Sequence, residues 1–193
     1  MTSGQWIGQW IGRSLRDPAG VAQALISIGL SRDALFSMVA LVTVLSVLML
    51  ELGLYLSPAD AELLRATPFA LTVILGASLL MMVFALQLTG RMLGGTGRFG
   101  AALLLVIWWQ SMALLIQVAQ TATLLLFPPL AGIVTLAGLA WLVFSLLHLV
   151  NVLHGFDNLF KALATVVIGV VGISFGLALL LSLIGVTLQG GTL

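Results

Sequence analysis

Cysteine is absent from these 193 residues, which excludes disulfides, a thiol nucleophile and any Cys-ligated metal or cluster. Charge is nearly as scarce. Charged residues make up 7% of the chain, against roughly 25% in an average soluble domain. Lysine occurs once, at Lys161, beside six arginines. The only close acidic pair, Asp60 and Glu62, falls in a loop. There is no Ser-His-Asp arrangement, no His/Asp/Glu cluster at metal spacing and no carboxylate pair inside an apolar run. An enzyme is therefore the least supported class, and neither a cofactor nor a nucleic-acid partner is expected.

What the chain does have is hydrophobicity, at 61% of all residues. Five runs are each long enough to cross a bilayer core as a helix: 34–56, 68–89, 99–122, 130–153 and 159–188. The expected fold is all-α, a polytopic membrane protein with a five-helix domain over 34–193 and an arm over 1–33. Residues 1–12 hold no Lys or Arg and no unbroken apolar core, so the first span is expected to act as its own insertion signal. Six basic residues (Arg13, Arg16, Arg32, Arg91, Arg98, Lys161) fall on one side of the spans and only Arg65 on the other. The positive-inside rule then places the N-terminus inside and the C-terminus outside.

Along the arm, Trp6, Ile7, Trp10 and Ile11 gather on one side of a helix. Arg13 and Arg16 follow, and tryptophan so placed favours the headgroup layer. Asp17-Pro18 reads as a cap with Pro at the first helical position, opening a second short helix over 21–30 that could lie on the membrane surface. The arm either anchors the first span or binds a partner.

Sliding the sequence by sixty residues pairs Pro68 with Pro128, Val83 with Val143, Phe84 with Phe144, Gly95 with Gly155 and Ala102 with Ala162, among 11 identities in 40 positions. A composition so rich in leucine supplies some of these. Physically the offset would make spans two–three and four–five two parallel hairpins about an axis along the membrane normal.

Two inside turns join those hairpins' helices. The first runs Gly90-Arg91-Met92-Leu93-Gly94-Gly95-Thr96-Gly97-Arg98 and the second Leu153-His154-Gly155-Phe156-Asp157-Asn158. Glycine-rich backbone before a helix can hold a phosphate, yet Gly94-Gly95-Thr96-Gly97 fits neither a P-loop nor a dinucleotide fingerprint. Tight turns flanked by headgroup-facing Arg91 and Arg98 are the simpler expectation.

Inside the spans, Gln110, Gln117 and Thr121 lie near one face of the third run, with Gln120 beside it. Amides in lipid need partners, so this face is expected to meet other helices, or else a water-filled path. In the fifth run Gly172 and Gly176 form a small-xxx-small step suited to close helix contact. Ionisable groups inside spans are functional candidates. Glu51, one turn before Tyr55, would reach the outer interface, pair with Arg65 or carry a proton or ion. His148, with Ser145 and Asn151 three residues to either side, is expected to bond to its neighbours. Bis-histidine haem would require His148 and His154 on facing helices, and both lie in one segment.

The five-span pattern, the inside arm and the turns Leu93-Gly94-Gly95-Thr96-Gly97-Arg98-Phe99 and Leu153-His154-Gly155-Phe156, the latter leading to Lys161-Ala162-Leu163, together resemble the bacterial branch of the YIP membrane proteins. The resemblance covers about residues 30–188. The Asp-Leu-x-Gly-Pro-like segment of eukaryotic members is not present; Asp17-Pro18-Ala19-Gly20 stands nearest to it. The resemblance implies a non-enzymatic, cofactor-free helical protein of the bacterial cytoplasmic membrane. Three classes of function stay open: a scaffold that organises membrane or assists assembly, a small transporter or channel lined by the third run's amides, and an accessory subunit of a larger membrane complex. Expected partners are the lipid bilayer and another membrane protein or a second copy.

Overall fold

The structure, a computed structural model, describes residues 3–56 and 67–183, with side-chain environments for 8–56 and 67–176. Asp60, Glu62 and Arg65, the side chain of Trp6 and the expected end of the last span at 184–188 lie outside the described residues. Among those described, the chain is all helical. Five helices are long and apolar enough to cross a membrane: α3 (Arg32–Leu56), α4 (Pro68–Met92), α5 (Phe99–Leu126), α6 (Pro128–His154) and α7 (Leu159–Leu183). The chain is an integral membrane protein. Two shorter helices, α1 (Ser3–Arg16) and α2 (Pro18–Ile28), precede them.

Local chemistry sets the helix ends. Asp17 caps α2, its carboxylate accepting from the Gly20 N–H at 2.8 Å with Pro18 in the first turn. Thr67 caps α4 in the same way, its hydroxyl accepting from the Ala70 N–H at 3.2 Å. The Pro128-Pro129 pair starts α6 and allows α5 to run on to Leu126, four residues beyond the expected Ala122. Helix α4 likewise continues past Thr89 to Met92.

Both hairpin turns end their helices by one device. Gly94 and Gly155 have φ of +87° and +63°, a region costly for any residue with a Cβ. Around Gly94 the backbone bonds are Gly95 N–H to Gly90 O at 2.8 Å and Gly94 N–H to Arg91 O at 3.0 Å. Around Gly155 they are Phe156 N–H to Asn151 O and Gly155 N–H to Val152 O. Each set is a Schellman closure. Positions 94 and 155 are sixty-one apart, so the structural equivalence slips by one residue from the sixty-residue sequence offset, which pairs Gly95 with Gly155.

The first helix of each hairpin lies against the second helix of the other: α4 against α7, and α6 against α5. Each hairpin also packs within itself, and α4 touches α6. This reciprocal packing is compatible with the two parallel hairpins expected from the sixty-residue offset. Helix α3 stands outside the pair, against α4 and α5.

The arm is folded onto the bundle. Val21, Ala22 and Leu25 of α2 are buried against α5 and α6, while Gln23, Ser27 and Ile28 face outward. The short helix expected over 21–30 is therefore present from Pro18, and one of its faces belongs to the protein core. Helix α1 joins through Trp10, edge-on to Trp108 at 6.0 Å, and through the Ser14 hydroxyl, which accepts from Trp108 Nε1 at 3.2 Å.

Burial is uneven along the spans. The end bearing Arg32, Arg91, Arg98 and Lys161, the basic end, holds most of the core: Leu35 and Val39, Val83 and Leu86, the run Ala102–Ile107, Leu146 to Leu153, and Ala162. Towards the opposite end, Leu124, Leu125, Leu126, Ile133 and Leu136 are exposed.

Candidate functional site

The most completely constructed site lies where the two turns meet, around His154. This side chain, the last residue of α6, is 1% exposed. Its Nδ1 accepts from the Gly97 N–H at 3.3 Å and its Nε2 lies 3.1 Å from the Leu86 carbonyl. An amide N–H can only donate and a carbonyl can only accept, so the proton sits on Nε2 and the ring is the neutral tautomer. The ring needs glycine on three sides. A Cβ on Gly90 or Gly95 would strike it, and one on Gly97 would come within 2.7 Å of Cε1. Phe156 stacks on the ring at 5.2 Å and 22°, and the Thr96 N–H bonds the His154 carbonyl at 3.2 Å. The Lys161 ammonium lies 6.0 Å from the Phe156 ring centre, the outer limit of a cation–π contact.

Sequence reasoning named His154, Gly94, Gly95, Gly97 and Gly155 as turn residues, and the structure brings them together. Their glycines serve two purposes: Gly94 and Gly155 supply left-handed backbone, whereas Gly95 and Gly97 make room for an imidazole. Gly90, the third glycine against the ring, was read only as the start of the loop. Arg91 and Arg98 are exposed beside this cluster. Asn151 does not pair with His148. Its side-chain oxygen accepts from the Asn158 N–H at 3.1 Å and so fastens the second turn.

His148 turns back on its own helix, Nδ1 donating to the Phe144 carbonyl at 2.9 Å with the ring 4.2 Å from that of Phe144. Ser145 bonds the Leu142 carbonyl instead. His148 and His154 share no site. Among the described residues, no three His, Cys, Asp or Glu side chains gather at metal-binding distance. Glu51 is half-buried near the far end of α3, one turn from the exposed Tyr55.

The amides of α5 meet different surroundings along the helix. Gln110 donates to the Ser46 hydroxyl at 3.2 Å, Gln120 lies against Gly138 of α6, and Gln117 is exposed. Gln110, Thr43, Ser46 and Ser78 line a cavity of about 150 Å³ between α3, α4 and α5. Thr43, Ser46 and Ser78 were missed in the sequence, although Thr43 and Ser46 stand at the i, i+3 spacing of one helix face. The buried Thr43 hydroxyl has no hydrogen-bond partner among the described residues. Thr43→Val, nearly isosteric, is expected to leave stability unchanged or raise it by about 1 kcal/mol. A fall in melting temperature would mean that water in the cavity satisfies the hydroxyl.

A second cross-link joins α4 to α7, where the Thr89 hydroxyl reaches the Thr165 carbonyl at 3.0 Å. The close helix contact falls at Gly169, where a Cβ would meet Thr89 Oγ1 at 3.5 Å. Among the described residues nothing packs on the Gly172–Gly176 step, which lines an open apolar groove of about 400 Å³ with Phe84 and Leu88. In comparisons with protein-family models, with curated proteins and with solved structures, nothing matches this chain.

Proposed function

We propose that this chain is a non-enzymatic integral membrane scaffold of YIP-like type, inserted with its N-terminus inside and engaging another membrane protein through the exposed side of α5. The observation that carries this reading is Gln117. It sits nine residues before the end of α5, roughly 14 Å inside the helix at 1.5 Å per residue, exposed on the same face as the exposed Leu124 one heptad on. A primary amide facing lipid loses its hydrogen bonds to water and gains none, a cost that a neighbouring helix offering a polar group removes. The transporter reading is the weaker one, because Gln110 is tied to Ser46, Gln120 lies against Gly138 and Gln117 is exposed, three separate environments along the helix.

Recovery of the tagged protein in mild detergent, with mass spectrometry of what accompanies it, tests the proposal. A stoichiometric membrane-protein partner is expected. Gln117→Leu should lower its yield roughly three- to twenty-fold, the range given by one interhelical hydrogen bond, without changing the melting temperature of the isolated chain. A partner retained equally by the leucine variant would remove Gln117 from the interface, and a lone monomer would overturn the scaffold reading.

A further inference from the structure

The four tryptophans with described side chains form one belt. Trp10 meets Trp108 edge-on, Trp109 Nε1 donates to the Leu142 carbonyl at 2.9 Å, and Trp141 Nε1 donates to the Leu15 carbonyl at 3.3 Å. The belt is not at the basic end of the bundle. Trp109 lies ten residues into α5, and Trp141 thirteen residues before the end of α6, or roughly 15–20 Å from that end at 1.5 Å per residue. Arg13, Arg16 and Asp17 are exposed beside it. Between belt and basic end, this flank gains polar groups among its apolar ones: Gln23 and Ser27 face outward from α2 beside the exposed Ile28, and His148 and Asn151 are half-buried on α6 near the exposed Phe144. The opposite flank differs. On α4 and α7, Phe84, Leu88 and Leu163 stay exposed and apolar to within about 6 Å of the basic end.

We infer that the bilayer boundary is oblique on this protein: beside α1, α5 and α6 the phospholipid headgroups meet the tryptophan belt, about 10 Å further along the bundle than on the α4–α7 flank. Tryptophan favours the headgroup layer and two exposed arginines match anionic headgroups there. Buried in hydrocarbon, the same arginines and Asp17 would be costly. Under this geometry α2 and the last three turns of α6 lie outside the hydrocarbon, which accounts for His148 and Asn151 near the end of an otherwise apolar helix. The inference is independent of whether the protein acts as a scaffold.

The native chain carries its own probe, since all five tryptophans lie in the arm or the belt. The full protein is reconstituted in phosphatidylcholine vesicles containing a minor share of phosphatidylglycerol. Tryptophan emission is then compared between lipid brominated near the headgroup and lipid brominated near the acyl-chain terminus. An interfacial belt is expected to be quenched about twofold or more strongly by the shallow label. Equal or stronger quenching by the deep label would place the belt in the hydrocarbon and overturn the inference.

Discussion

Gly90→Ala is expected to destabilise the protein by about 2 to 3 kcal/mol, a lowering of the melting temperature by roughly 5 to 10 °C in a mild detergent. Alanine inside a helix ordinarily gains up to about 1 kcal/mol over glycine, so the sign is opposite to that of helix propensity. The reason is the imidazole. A Cβ on Gly90 falls within the His154 ring, and the ring cannot withdraw, because the Leu86 carbonyl and the Gly97 N–H hold both nitrogens. Gly95 and Gly97 close the neighbouring sides. Placing Gly90→Ala in a His154→Ala background supplies the decisive comparison. With the ring gone, the alanine should become neutral or stabilising. A loss of the same size in both backgrounds would show that the collision does not set the cost.

His154→Ala itself is expected to cost about 3 to 5 kcal/mol, the range for emptying an aromatic-sized site in a close-packed core. The void would open among Gly90, Gly95 and Gly97, which have no side chains to fill it. The Gly97 N–H would also lose its acceptor. His154→Phe separates the two contributions. Phenylalanine keeps most of the volume and the stacking on Phe156, yet supplies neither ring nitrogen, so it should cost about 1 to 3 kcal/mol. Thermal unfolding of both variants checks the order. If the phenylalanine variant melts with the native chain, shape alone holds the turns together and the two hydrogen bonds contribute nothing.

Much of this architecture is legible in the residues, because apolar length acts without reference to tertiary contacts. The five spans emerge from hydropathy, and Pro68 and Asp17-Pro18 mark helix starts by local chemistry, whereas the fourth run, expected from 130, begins two residues earlier at Pro128. Gly155, followed by Phe156 and Asp157, likewise announces a helix end. What escapes is anything decided by a partner distant in sequence. That Gly90 and Gly97 exist to accommodate an imidazole depends on residues more than fifty positions away, and no spacing rule reaches that far. Gln110, Gln117 and Gln120 project as neighbours on a helical wheel, but packing by α3, α4 and α6 sends each to a different environment. Helix α2 was legible as a helix and not as a core element, since its modest amphipathicity suits a membrane surface and a protein surface alike.

The concentration of buried side chains in the basic half of the bundle has a consequence for the solvent. In that half, protein fills the space between helices, and the turns are riveted through His154. In the other half, Leu124, Leu125, Ile133 and Leu136 turn outward, and acyl chains must supply the neighbours that protein does not. The two leaflets are therefore unequal partners. On that side more of the apolar side chains meet acyl chains than meet another described helix, so chain length and saturation there bear directly on how the bundle packs.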